Sequence, residues 1–280
     1  MPHTRILTLV PAGGLANRMR AIASTVTLAR HHHFTLHIVW HRDSGLNCNF
    51  EQLFQSFQAS DIEVRNAIFY DRFFCDRPRK GNFQLTRYTL PLRFDGILHD
   101  SICAEAFSKQ TFDFNQWLPV HRHPFIATCY ELCPVSSQTY RELFIPIDEI
   151  DSCVHDYTEQ FSTHTVGVHI RRTDNIMSIA GSPLELFIQE MKKETEQNHD
   201  TKFFVASDSE EVKQELKKYF GTRIITSSRP ADRNSIHGMQ DGAVDFFTLS
   251  RTSKILGSTY SSFSEISAAF NNTPYKCIQK

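Results

Sequence analysis

The sequence lacks a strong charge of either sign and lacks a long apolar run. Lysine and arginine number 30 against 31 aspartate and glutamate residues, which gives a formal net charge of −1. A near-neutral chain has no global attraction to nucleic acid or to an anionic membrane, so any anion site must be local. No apolar run approaches the ~20 residues that span a bilayer, and the first residues lack the cleavage site of a signal peptide. We therefore expect a cytoplasmic protein with no nucleic-acid partner and no transmembrane segment, for which only a peripheral membrane association stays open.

Paired cysteines are also missing. The seven cysteines are odd in number, are widely scattered and contain no CxxC pair. This usage is typical of reduced thiols in a cytoplasmic protein rather than of a disulfide framework. Cys129 and Cys133 lie near His121 and His123, but the spacing matches no usual zinc pattern, so we expect no metal.

A complete glycine fingerprint for a nucleotide is absent as well. Residues 12–18, Ala-Gly-Gly-Leu-Ala-Asn-Arg, lack the third glycine of the dinucleotide motif and the Gly-Lys-Ser/Thr of a Walker A loop. Gly13 and Gly14 instead offer backbone N–H groups at a helix N-terminus, with Asn17 and Arg18 in the first turn. A cation near the positive end of a helix dipole is mildly unfavourable, and a bound anion would explain the position of Arg18.

The chain has the length of two compact units, which we place at residues 1–150 and 151–280. A strand at 5–10, the glycine turn, a helix and a strand at 34–40 form a βαβ opening, which predicts a parallel sheet. Residues 49–125 contain only short apolar runs and are assigned to mixed short elements. From Val166 onward strands and helices alternate regularly. The fold class is therefore α/β. Packing of the last helix, 262–270, against the first unit stays open.

Local signals define two helix starts and one loop in the second half. Ser182 and Glu185 have the spacing of a capping box, and Pro183 lies in the same first turn. Asp208 precedes the next helix as its N-cap. The polar segment 227–242 predicts a mobile loop, which either folds over a ligand or has no role.

The most informative stretch is residues 166–174, Val-Gly-Val-His-Ile-Arg-Arg-Thr-Asp, in which an apolar strand ends in a cluster of charge. Ligands of open α/β sheets bind beyond the carboxyl ends of the strands, where His169, Arg171, Arg172 and Asp174 would project. Two adjacent guanidiniums suit a diphosphate, because each offers planar and permanently charged donors. Any one of these residues alone would more simply be a structural ion pair or a core histidine. The four together favour an anion site.

A second candidate for phosphate binding is the segment 257–264, Gly-Ser-Thr-Tyr-Ser-Ser-Phe-Ser, at the start of the last helix. Ordinary N-capping needs one hydroxyl, whereas this segment offers five serine and threonine hydroxyls besides its free N–H groups. The sequence therefore contains a glycine turn in one half, and a basic strand end beside a serine-rich helix start in the other.

Together these motifs resemble the α1,6- and protein O-fucosyltransferase superfamily. The matching residues, in chain order, are Ala12-Gly-Gly-Leu-Ala-Asn-Arg18, His169-Ile-Arg171-Arg172-Thr-Asp174, Asp245 in a helix, and Thr259-Tyr-Ser261-Ser262. The resemblance covers the first forty residues and residues 166–270, while 49–153 shows no match.

The resemblance implies a GT-B fold, with two facing Rossmann-like lobes and a nucleotide cleft between them. It implies transfer of L-fucose from GDP-fucose to a glycan or glycolipid, with inversion and with neither metal nor cofactor. Arg171 would stabilise the leaving β-phosphate, Asp174 would orient the arginines or contact the fucose, and Asp245 would bind guanine. The remaining donor-binding residues that it implies are Gly13, Gly14, Asn17, Arg18, His169, Arg172, Ser261 and Ser262.

One departure from the family leaves the general base unassigned. Some α1,6-fucosyltransferases have a glutamate a few residues after the motif aspartate, but residues 175–179, Asn-Ile-Met-Ser-Ile, contain no carboxylate. Glu185 is the nearest substitute, and the capping box already explains it. Two alternatives therefore stay open: a non-catalytic protein that binds a GDP-sugar or another nucleotide, and a transferase that uses another GDP-sugar. A dinucleotide oxidoreductase is disfavoured by the glycine pattern.

Overall fold

The structure is a computed structural model that describes residues 5–173, 175–227, 232 and 234–280. The chain divides into two compact units, Met1–Ile145 and Pro146–Lys280. Each unit is built on a five-stranded sheet in which every strand pair is parallel. The α/β class is confirmed.

The first unit has strand order β3-β2-β1-β5-β4. Its strands are β1 Ile6–Pro11, β2 Thr35–Trp40, β3 Ile62–Asn66, β4 Gly96–His99 and β5 Pro124–Thr128. Its helices are α1 Leu15–His31, α2 Asp71–Phe74, α3 Phe83–Arg93, α4 Asp100–Ser108, α5 Phe114–Trp117 and α6 Ser137–Leu143. The region 49–125, for which the sequence predicted only mixed short elements, therefore supplies two strands of the sheet and four short helices.

The turn between β1 and α1 requires glycine. Gly13 has φ of 82°, in the left-handed region, and a Cβ there would lie 2.9 Å from Nδ2 of Asn17. Just before it, the Ala12 N–H donates to the carbonyl of Thr128 at 2.9 Å, which ties the turn to β5. The turn thus presents the start of α1 at the carboxyl edge of the first sheet.

The second unit has strand order β10-β9-β6-β7-β8, so β6 lies between β9 and β7. Its strands are β6 Thr165–Ile170, β7 Lys202–Ser207, β8 Ile224–Ile225, β9 Lys254–Ser258 and β10 Tyr275–Ile278. Its helices are α7 Asp148–Thr158, α8 Ile176–Gly181, α9 Leu184–Gln197, α10 Glu210–Phe220, α11 Ile236–Ser250 and α12 Ser262–Asn271. The order reverses between β6 and β9, which makes their carboxyl ends the topological switch point of this sheet.

Two helix starts differ from the sequence predictions. Ser182 is fully buried, donates to the carbonyl of Ile278 at 2.5 Å and accepts the N–H of Thr259 at 2.8 Å, while α9 begins after Pro183 without a side-chain cap. The predicted capping box is wrong, because partners on β10 and after β9 occupy the hydroxyl. Helix α10 is capped by Ser209 rather than by Asp208, the predicted N-cap.

The predicted loop 227–242 is shorter than expected. Ser235 accepts the N–H of Gly238 at 3.0 Å and caps α11, so residues 236–242 are helical. A Cβ at Gly238 would lie only 1.8 Å from the carbonyl oxygen of Asp232, which accounts for the glycine. Residues 228–231 and Arg233 of this segment lie outside the described residues. Over the described part of the chain, no helix is long and apolar enough to cross a membrane.

Candidate functional site

The end of β6 is held against the end of β9 by one serine. The Ser258 hydroxyl donates to the carbonyl of His169 at 3.3 Å and accepts the N–H of Arg171 at 3.2 Å. His169 and Arg171, two of the residues predicted from the strand pattern, therefore lie at the switch point. Sequence reasoning counted Ser258 only as one of several hydroxyls and did not anticipate this role.

His169 and Ser261 lie next to each other at this strand end. The His169 ring stacks on Phe263 with centroids 4.8 Å apart, and its Nδ1 lies 3.5 Å from Oγ of Ser261. Ser261 is buried and precedes α12 without capping it, and Ser262 is the first residue of that helix. The serine-rich helix start therefore lies beside the charged end of β6, where its N–H groups favour an anion.

The two adjacent arginines have different surroundings. The Arg172 guanidinium donates to the carbonyl of Arg171 at 3.0 Å and to that of Ser182 at 2.8 Å. Burial lowers the pKa of Arg172, although Asp208 and Glu185 raise it. Arg172 thus connects the end of β6 to the start of α9, whereas the backbone N–H of the half-buried Arg171 is bound to Ser258.

Asp208 positions the segment that carries both arginines. Its Oδ1 accepts the N–H of Arg172 at 2.7 Å, and its Oδ2 accepts the N–H of Thr173 at 3.3 Å and the Thr173 hydroxyl at 2.7 Å. The predicted capping role is therefore wrong, since this carboxylate faces the neighbouring strand end and not its own helix. The signal that could have revealed it is its position directly after β7. Asp174, the second predicted catalytic residue, lies outside the described residues.

Residues 175–179, which contain no carboxylate, form the start of α8. Asn175 accepts the N–H of Ser178 at 3.1 Å and donates to the carbonyl of Tyr260 at 3.1 Å, which holds α8 against the segment after β9. Glu185 is exposed on α9 and has lost the capping role that explained it. The structure therefore leaves Glu185 available as a carboxylate on this side of the unit.

Asp245 lies on α11 at a cavity of about 310 Å³, a size within the ~300–1,000 Å³ range of ligand pockets. Among the described residues no group bonds its buried Oδ1. Burial raises the pKa of Asp245 to about 7, against the attraction of Lys213. The cavity is lined by Cys153, Asp156, Tyr157, Ser227, Asp241, Val244 and Asp245. A buried carboxylate oxygen without a hydrogen-bond partner is costly, so this geometry favours a ligand that donates a hydrogen bond to it.

The cavity and the β6 end belong to one packed region, although His169 and Arg171 do not line the cavity. The Phe263 ring that stacks on His169 also contacts Phe246 edge-to-face at 5.6 Å. Because Phe246 follows Asp245 on α11, these two aromatic contacts connect the helix that carries Asp245 to His169 at the end of β6.

The glycine turn of the first unit offers a second polar group. Oδ1 of Asn17 is buried and has no hydrogen-bond partner in the part of the chain that the structure describes. Gly13 and Gly14 are partly exposed beside it. These three residues therefore keep the donors and the acceptor that the sequence assigned to a ligand.

Arg18 differs from that assignment because its surroundings are entirely protein. It is fully buried, and its guanidinium donates to the carbonyls of Gly13 at 2.9 Å and His41 at 2.5 Å and to Asp43 at 3.0 Å. It also lies over the Trp40 ring, 4.6 Å from the centroid. The anion that its position called for is a carboxylate of the same chain, so the guanidinium stabilises the glycine turn rather than facing a ligand.

Over the described residues there is no group of three histidine, cysteine or acidic side chains that could hold a metal ion. In the second unit, residues 169–172 and 258–262 bring cationic and N–H groups to one strand end, and Asp245 offers a hydrogen-bond acceptor without a partner among the described residues.

No protein-family model matches the chain, and no curated protein matches it either. Solved structures do match. The fucosyltransferase NodZ from Bradyrhizobium is 16% identical, with 94% of this chain and 92% of that chain covered at a TM-score of 0.64. The chain has the fucosyltransferase fold.

Two further structures share this fold. A mutant of Arabidopsis thaliana FUT1 in complex with GDP is 14% identical, with 98% of this chain and 70% of that chain covered at a TM-score of 0.65. POFUT1 in complex with GDP is 14% identical, with 99% of each chain covered at a TM-score of 0.59. The fold expected from the motifs at residues 12–18 and 169–174 is thereby confirmed at full length. Identity this low leaves the activity to the chemistry of the site.

Proposed function

We propose that this protein is a metal-independent glycosyltransferase that moves L-fucose from GDP-fucose to a glycan or glycolipid hydroxyl with inversion. The observation that carries the proposal is the end of β6, where Ser258 and Asp208 fix the backbone on either side of the Arg171 guanidinium. An arginine whose backbone is held at a switch point can present its guanidinium to a diphosphate, and the fucosyltransferase fold supports GDP as the nucleotide.

In this proposal Arg171 supplies the charge stabilisation of the reaction. As the bond from the fucose C1 to the β-phosphate oxygen breaks, negative charge grows on the leaving GDP and is stabilised by the guanidinium. The acceptor oxygen forms the new bond on the opposite face of C1, which inverts the configuration. The acceptor proton leaves to water or to a carboxylate, for which Glu185 and Asp174 are the candidates of the second unit.

Asp245 is the proposed guanine-binding group. An ionised carboxylate accepts hydrogen bonds from both N1–H and N2–H of guanine, and its buried Oδ1 has no partner among the described residues. His169 and Ser261 would contact the donor between the base and the phosphates. Gly13, Gly14 and Asn17 are proposed to contribute donor contacts from the first unit.

A donor screen by thermal shift tests the function directly. A ligand at ~100 times its Kd raises the apparent stability by ~2.7 kcal/mol, and only ligands of the native state do so. We expect GDP and GDP-fucose to raise the Tm and ADP and UDP to leave it unchanged, with fucose transfer that persists in EDTA. Absence of a shift with both GDP compounds would refute the proposal. A shift without transfer or donor hydrolysis would favour the non-catalytic alternative, which the missing carboxylate at 175–179 motivates.

The affinity for GDP is expected to rise with pH through about 7. Because burial raises the pKa of Asp245 to about 7, acid converts the acceptor for guanine into a neutral acid. Calorimetry should give a Kd about tenfold weaker near pH ~6 than near pH ~8. Since the phosphates of GDP also titrate near pH ~6, Asp245→Asn is the control: its Kd is expected to be weak throughout, with only the residual slope of the nucleotide. Equal slopes in both proteins would contradict the role of Asp245.

The raised pKa of Asp245 has the opposite effect on the stability of the unliganded protein, which falls as pH rises. An unfolded aspartate releases its proton near pH ~4, so between ~4 and 7 the folded chain holds more protons at this residue. The contribution of Asp245 to the free energy of unfolding therefore decreases as pH rises through this window, and the Asp245→Asn protein should lack that decrease.

A further inference from the structure

Large apolar side chains on the surface are concentrated in one short segment of the first unit. Of the fifteen exposed large apolar residues in the described part of the chain, eight lie within residues 68–92. Scattered exposed apolar residues are normal, but a concentration of this kind marks an interaction surface.

Helix α3 has an apolar stripe on the side away from the protein. It buries only Thr86 and Leu90, four residues apart. Leu85, Tyr88 and Leu92 follow the i, i+3, i+7 spacing on the opposite face and are 51%, 65% and 85% exposed. Helices of globular proteins normally turn such a stripe toward the core. This stripe instead faces outward, and nothing in the described chain covers it.

The segment before α3 extends the same surface. Ile68, Phe69 and Tyr70 precede α2 and are 64–73% exposed, and Phe74 ends that helix. Helix α2 packs beside α3, where Thr89 donates to the carbonyl of Phe73 at 2.5 Å. We call residues 68–93 the aromatic-basic surface.

The charges of this surface are of one sign. Arg72, Lys80, Arg87 and Arg93 are exposed. The acidic residues of the segment, Asp71 and Asp76, are buried and form ion pairs with arginines. Although the whole chain has a net charge of −1, this surface presents cations interleaved with aromatic rings and no exposed carboxylate.

We propose that the aromatic-basic surface docks the protein on an anionic lipid bilayer. Aromatic and leucine side chains enter the boundary between headgroups and acyl chains, while neighbouring cations contact the acidic headgroups. A second copy of the chain is a poorer occupant, because a twofold contact would bring the same four cations together. A neutral glycan is also a poorer fit, because it has no negative charge to pair with the four exposed cations.

Sedimentation with phosphatidylcholine vesicles, with and without phosphatidylglycerol, tests the proposal. We expect binding only to the vesicles that contain phosphatidylglycerol, and weaker binding at high salt. Since each cation near the surface contributes about fivefold, ~1 kcal/mol, Lys80→Glu with Arg87→Glu should lower the partition coefficient about 25-fold or more. Lys217→Glu with Lys218→Glu, on exposed positions of α10, is the matched control and should leave it unchanged.

The apolar stripe has its own reporter. In a Leu92→Trp protein the new indole should shift its emission to the blue on vesicles that contain phosphatidylglycerol, whereas Val120→Trp, at another exposed apolar position of the first unit, should not respond. Equal partition of the wild-type chain onto both vesicle types would overturn the proposal. Equal losses of vesicle binding in the two charge-reversal proteins would also overturn it. So would self-association of the protein in the absence of vesicles, if Leu85→Ser with Leu92→Ser abolished that self-association. Because GDP binding uses other residues, a failure of GDP binding would appear in the thermal-shift screen and a failure of membrane docking in the vesicle sedimentation.

Discussion

Replacement of Arg171 by alanine is expected to lower kcat for fucose transfer by about 10²–10³-fold, the typical effect of removing one preorganised charge-stabilising donor. The loss should fall on kcat rather than on KM, because the charge that the guanidinium stabilises grows as GDP leaves. The fold should survive, since the backbone of this residue is held by Ser258 and its neighbour by Asp208. Steady-state kinetics together with a Tm measurement check both parts.

Arg171→Lys refines this expectation. Lysine keeps the charge but loses the planar pair of donors that matches two phosphate oxygens, so we expect only partial activity. Turnover of Arg171→Ala within about tenfold of the wild-type value would contradict the assigned role, because a group that stabilises the leaving diphosphate contributes more than ~1.4 kcal/mol.

Arg172→Met is the matched comparison, because the neighbouring guanidinium has a different environment. It would lose the hydrogen bonds to the carbonyls of Arg171 and Ser182, each of which contributes about 1 kcal/mol. We therefore expect a lower Tm and a weaker affinity for GDP. If the losses in Arg171→Ala and Arg172→Met proved indistinguishable in Tm and in kcat, the division of roles between the two arginines would be wrong.

Local patterns in the sequence predicted much of the second unit. The strands at residues 166, 202 and 254 and the helix at 262 follow from short apolar runs and helical periodicity, which depend on neighbouring residues alone. The pattern also placed His169 and the serine-rich segment 257–264 at the carboxyl ends of strands, but it did not predict the contact between His169 and Ser261.

Partners that are distant in the sequence could not be predicted in this way. Asp208 bonds Arg172 from 36 residues away, and Ser182 bonds the carbonyl of Ile278 from 96 residues away. In both cases a residue type that favours caps had a second possible partner, and only the tertiary structure decides between them. The cavity at Asp245 depends on α7, α11 and Ser227 coming together, for which no local pattern exists.

The same limit applies to Arg18, whose replacement by methionine should produce the largest change in stability. The substitution removes a fully buried cation from Asp43 and leaves that partly buried carboxylate with fewer partners. Loss of one member of a buried ion pair costs about 3–5 kcal/mol, and we expect the first unit to melt about 10 °C lower. Calorimetry on the whole chain measures this, and Arg30→Met is the matched control, since its pair with Asp61 is exposed and contributes little.

The pH dependence of this loss tests its cause. Burial by itself raises the pKa of Asp43, but Arg18 and Arg79 hold it below its usual value. A carboxylate with a depressed pKa stabilises the fold above the unfolded value, near pH ~4, and loses this contribution as pH falls through its folded value. The difference between the wild type and Arg18→Met should therefore be largest near neutral pH and shrink in acid. Asp43→Asn should lower the stability of Arg18→Met by less than it lowers that of the wild type, because in Arg18→Met only the pairs of Asp43 with Arg77 and Arg79 are left to lose. A loss that persists unchanged in acid and in the double variant would instead place the contribution of Arg18 in its contacts with the Trp40 ring and the carbonyls of Gly13 and His41.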